Sequence, residues 1–166
     1  TFNDSIYLHY SPTYKYSIGL ERVKNKFYKN TENYFRFTYL VNRKNTDISQ
    51  RNLYFQSGVL VDDAAGFFYG MHGDWETRRW FSGFGYKDTK NTFGQDYTDQ
   101  YIQLGVAPYV GDYGDLHTWI MIKTKKNSLT NTQSTYPELK FFKGPALVKF
   151  GYSDKTEWDL HLMYRF

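Results

Sequence analysis

Large apolar side chains recur at every second position along most of this chain, with polar residues or glycine between them. The final stretch, WDLHLMYRF, shows the pattern in short form. Trp158, Leu160, Leu162, Tyr164 and Phe166 fall on one side, and Asp159, His161, Met163 and Arg165 on the other. A period of two is the signature of a β-strand, whose successive side chains point to opposite faces. No helical periodicity stands out. Ten segments read as strands: 5–11, 14–24, 34–43, 51–62, 66–76, 79–88, 99–110, 116–125, 138–153 and 157–166.

Parity assigns the faces. One face carries Ile6, Leu8 and Tyr10, then Ile18 and Leu20, Phe35 and Phe37, Phe55 and Val59, Phe67 and Tyr69. It continues through Trp80 and Phe84, Ile102 and Leu104, Ile120 and Ile122, and Val148 and Phe150. The opposite face is small, polar or charged. Turns fit this segmentation. A two-residue turn at Thr77-Arg78 moves the apolar row from odd to even positions, as such a turn requires, and pairs Glu76 with Arg79. In LKFFKGPALVKF the row slips from Leu139 and Phe141 to Ala146 and Val148, which a bulge near Gly144-Pro145 explains.

Composition decides which face is inside. The mean hydropathy is polar, at −0.69, yet the chain holds 17 Tyr, 14 Phe and 4 Trp. A barrel of eight to ten strands has too little room to hold so many rings within it. With the rings outward, the surroundings must be apolar, and a bilayer supplies them. Strands of about ten residues suit a spanning sheet. Hydrocarbon tolerates only a closed sheet, because an open edge leaves backbone groups unpaired. No run approaches the roughly 18–20 apolar residues of a membrane helix. The expectation is therefore one all-β domain over residues 1–166, a closed antiparallel transmembrane barrel of about ten strands, with eight as the alternative.

Charge and cysteine change the picture little. A net charge of +4 without a dense basic run gives no reason to expect nucleic acid as a partner. The absence of cysteine removes disulfide and thiolate chemistry. The chain opens on Thr1, which a processed or trimmed N-terminus would explain.

The WDLHLMYRF ending resembles the C-terminal β-signal of small Gram-negative outer-membrane barrels: a terminal aromatic, Phe166, with Tyr164, Leu162 and Leu160 at alternate positions behind it. The resemblance implies an outer-membrane location and two partners, the lipid bilayer and the barrel-assembly machinery, which would read residues 158–166. It also implies a conflict. With ten strands, the longest connections (KNKFYKNTEN, DTKNTFGQDYT, KKNSLTNTQSTYP) share an end with both termini, whereas such barrels keep their termini beside short turns.

Parity places the candidate chemistry inside. Glu21, Arg36, His72, Asp74, Glu76, Arg79, Lys123, Asp159, His161 and Arg165 would line the lumen. If the last strand paired with the first, Asp159 and His161 would come near His9. The set reads as a lumen for passage or binding of a small polar solute or ion, its mixed signs giving no ion preference. One alternative is a small outer-membrane enzyme, a hydrolase or transferase acting on lipid or peptide, with His72 as base and Asp74 or Glu76 orienting it. No Ser-His pair supports that chemistry, and no specific catalytic residue is assigned. The other alternative is a structural or assembly barrel engaging a periplasmic partner. No ligand spacing points to a metal, and no cofactor is expected.

Overall fold

The computed structural model describes residues 3–62, 65–90, 94–112, 114–155 and 157–165. These form one antiparallel sheet in which each strand pairs with the next in sequence. The strands are β1 (Asn3–Thr13), β2 (Tyr16–Asn25), β3 (Asn30–Asn45), β4 (Ser49–Leu60), β5 (Phe67–Thr77) and β6 (Trp80–Lys90). They continue with β7 (Tyr97–Val106), β8 (His117–Asn127), β9 (Thr132–Lys143), β10 (Ala146–Ser153) and β11 (Glu157–Tyr164). The sheet curls through 259°. Among the described residues β1 pairs only with β2, and β11 only with β10. The terminal Phe166 of the expected signal lies outside the described residues.

Eleven strands replace the expected ten, or eight, because 138–153 is a hairpin and not one bulged strand. Lys143 faces Ala146 and Phe142 faces Leu147 across Gly144-Pro145. Gly144 has φ +55°, the positive value that a II′ turn demands at its first central position. A Cβ at Gly144 would meet nothing within 4 Å. Gly144→Ala therefore isolates backbone strain, with an expected cost of about 1–2 kcal/mol. Urea unfolding in detergent micelles measures it.

The turn between β5 and β6 is also displaced. Glu76 faces Phe81 and Trp75 faces Ser82, so the turn residues are Arg78 and Arg79. The Thr77 hydroxyl holds this turn by accepting the N–H groups of Arg79 (3.2 Å) and Trp80 (2.8 Å). At the other end, Asn25 and Asn127 do the same work in two matching four-residue turns. Asn25 Oδ1 accepts from Phe27 and Tyr28, and Asn127 Oδ1 from Leu129 and Thr130. Lys29 and Asn131 close these turns at φ +54° and +48°. The two segments expected to be long connections are thus mostly strand.

The odd strand number eases the conflict over loop lengths for the C-terminal end alone. β11 finishes at the end opposite to where β1 begins, beside the connections 14–15, 46–48, 78–79 and 144–145. One ten-residue connection, 107–116, shares that end.

The two faces follow the alternation. Every apolar row read from the sequence lies on the convex side, where Ile6 is 79% and Leu162 65% exposed. The concave side buries Glu21, Lys123, Glu138, Lys140 and Asp159. It also carries two apolar clusters: Val23, Tyr34, Leu60 and Phe68, and Phe81, Ala107, Trp119 and Met121. Glycines make room for these rings. A Cβ on Gly58 would stand 2.4 Å from the Phe68 ring, and one on Gly85 2.2 Å from Tyr101.

Candidate functional site

Neighbouring strands bring the concave side chains into cross-strand rows, and three polar clusters result. In the first, Arg36 on β3 binds Glu21 on β2 at 2.9 Å and donates to Gln56 Oε1 on β4 at 2.6 Å. Its guanidinium lies 4.9 Å from the centre of the Tyr7 ring on β1. The Glu21 side chain is nearly buried, so Arg36 is what makes its charge tolerable there.

The second cluster spans β8, β9 and β11. Lys123 Nζ lies 3.1 Å from Glu138 Oε2 and 3.0 Å from Asp159 Oδ2. Lys125 reaches the same Asp159 oxygen at 2.9 Å, and the Tyr136 hydroxyl donates to it as well. Asp159 thus gathers two ammonium groups and a phenol on one oxygen. The other Glu138 oxygen, Oε1, is buried without a hydrogen-bond partner.

The third cluster crosses the concave space. Lys140 on β9 reaches Glu76 at the end of β5 at 3.4 Å, and sits over the rings of Phe81 (4.0 Å) and Trp119 (4.6 Å). Beside it is a cavity of about 220 Å³ at the end where β11 finishes, lined by Gln50, Glu76, Arg78, His117 and Trp119 among others.

Of the expected lumen residues, the structure joins Glu21 to Arg36 and Lys123 to Asp159. The His72, Asp74 and Glu76 run does not form one unit. The His72 ring stacks on Tyr54 at 4.9 Å, Asp74 accepts from Asn52 at 2.9 Å, and Glu76 turns to Lys140. A base with its orienting carboxylate is therefore not assembled at these three positions. His161 is half-buried in register with Lys149. Arg79 is corrected: it occupies the β5–β6 turn and is exposed, because the register slides by one residue on each arm. Arg165 is exposed past the end of β11, its N–H bonded to the Pro145 carbonyl at 3.0 Å.

Asp159 and His161 do not meet His9. Asp159 is bound by β8 and β9, and the His9 ring stacks on Tyr7 of its own strand at 5.4 Å. The sequence reading missed Lys87, 3.9 Å from the Phe68 ring centre, together with Lys125, Tyr136, Glu138 and Lys140. Parity alone would have flagged Lys87, Glu138 and Lys140, each beside an outward apolar residue; Lys125 lies between Thr124 and Lys126, and Tyr136 precedes the segment read as a strand. Among the described residues no group of three or more His, Asp or Glu side chains is arranged to hold a metal ion. No helix of the described residues is long and apolar enough to cross a membrane, which has no bearing on strands. Comparison with protein-family models, curated proteins and solved structures gives no match.

Proposed function

We propose that this chain forms the wall of a β-barrel in a bacterial outer membrane, and that its charged interior binds or passes a small polar solute or ion. One observation carries the reading: the sheet exposes long rows of large apolar side chains on one face and buries Glu21, Glu32, Lys123, Glu138, Lys140 and Asp159 on the other. Water favours the reverse arrangement, and hydrocarbon outside a polar lumen favours this one. Exposed contiguous apolar surface on this scale needs a lipid or protein cover. The disposition of the turns supports the same reading. Four of the five connections beside the end of β11 are two or three residues long, as periplasmic turns are.

The interior supports a solute more than a reaction. Its charges are spread over three clusters, and Lys87 and Lys149 face the concave space with no ion pair of their own among the described residues. Acceptor-bearing solutes would find donors there. The assembly-machinery contact through residues 158–166 belongs to the same proposal.

Purification with and without surfactant tests the membrane location. The protein is expected to remain folded and dispersed in detergent micelles, to aggregate when the detergent is removed, and to insert into phospholipid vesicles. A monomer that stays folded in plain buffer would overturn the reading. Swelling of vesicles carrying the protein, in small polar solutes, then separates passage from binding.

A further inference from the structure

The free edges of β1 and β11 cannot be the end state of a sheet in hydrocarbon, where each unpaired backbone group is costly. Two features limit what can cover them. The first is direction. Neighbours alternate along the sheet, so β1 and β11, both odd, run the same way. Joining them directly would make a parallel seam in an otherwise antiparallel sheet. Keeping every pair antiparallel requires an odd number of strands between them.

The second is curvature. Ten steps across 259° put about 26° between neighbours, and the remaining 101° or so holds about four such steps. Four steps leave room for three strands, which is also odd. A second copy does not fit: at this curvature its own 259° exceeds the opening. Copies inserted the same way would also meet β1 with β1 or β11 in parallel.

The side chains agree with an opening at this place. Ser5 points to the concave side of β1 yet is exposed, whereas Val23, which faces it on β2, is buried; His9, two pairs further along, is exposed opposite half-buried Gly19.

Resting on the membrane reading, we infer that the edges of β1 and β11 are bridged by a three-stranded antiparallel polypeptide segment, bringing the barrel to fourteen strands. Its outward row is apolar to continue the lipid face. Its inward row is polar, with acceptors for Arg165 and His9. The inferred segment covers both edges at once, and with them the exposed concave side of β1.

Because the chain lacks cysteine, a Leu8→Cys and Leu162→Cys pair can be spin-labelled cleanly in isolated membranes of the producing cell. Four strand steps of about 4.8 Å put the labelled backbones roughly 15–20 Å apart. Dipolar spectroscopy is expected to give that separation, and amide exchange to find β1 and β11 as protected as β5. Labels at adjacent-strand distance mean a direct seam and overturn the inference. Well-separated labels with freely exchanging edge amides mean an uncovered opening and overturn it too. Label access to oxygen as against a water-soluble nickel chelate reports separately on the membrane reading. Water-facing labels would sink that reading whatever the distance.

Discussion

Asp159→Ala is expected to lower the unfolding free energy by about 3 kcal/mol, the lower part of the range for breaking a buried ion pair from one side. The size follows from what the substitution leaves behind. Lys123 and Asp159 side chains are each 11% exposed, and Asp159 Oδ2 is shared by Lys123, Lys125 and the Tyr136 hydroxyl. Without that oxygen, a buried phenol and an ammonium group lose their acceptor together. Lys123 keeps Glu138, which holds the cost below the top of the range. Lys125 is 35% exposed and can turn to water, so Lys125→Met should cost well under half as much. Urea titration in micelles compares the two. Equal small effects would mean that Asp159 does not hold β11 to β8 and β9.

That cluster also marks where the sequence stops being legible. Alternation revealed the outward row of each strand, because a period of two is local and any strand with one face in an apolar medium must keep it. The inward positions of Asp159 and Lys123 were legible for the same reason. Their pairing was not. The two residues are 36 positions apart, and nothing local encodes which strands face each other across a curled sheet. His9 was the expected neighbour only through a closed seam between the first and last strands. Among the described residues β1 and β11 do not pair, and β8 and β9 take Asp159 instead.

Turns failed differently. A bulge and a two-residue turn both shift the apolar row by one position, so LKFFKGPALVKF reads the same either way. Length does not separate them either, since β3 runs to sixteen residues as one strand. Between β5 and β6 the register slid by one residue on each arm, which leaves both faces unchanged and so escapes parity. Arg79 moved from the lumen to the turn for that reason. The Asn25 and Asn127 turns carried a usable signal: an asparagine whose side chain accepts the following N–H groups tightens what looks like a long polar loop.

Ile122→Arg carries the second large expected effect, and it depends on the surroundings more than on the protein. Ile122 lies at the middle of β8, flanked by Leu104 on β7 and Pro137 on β9, and is 62% exposed. In water, a polar substitution at such a surface site changes stability by about 0.5 kcal/mol or less. At the midplane of a bilayer, arginine on the lipid face of a barrel costs about 2–4 kcal/mol. Ile48→Arg gives the control, because Ile48 is 77% exposed but sits in the turn between β3 and β4. At that depth the cost falls to about 0–1 kcal/mol. Folding equilibria in phospholipid vesicles should therefore separate the two variants by at least about 1 kcal/mol. If they match, the row through Ile122 does not face hydrocarbon, and the burial of Lys123, the next residue on the same strand, needs some other cause than a membrane outside and a polar lumen within.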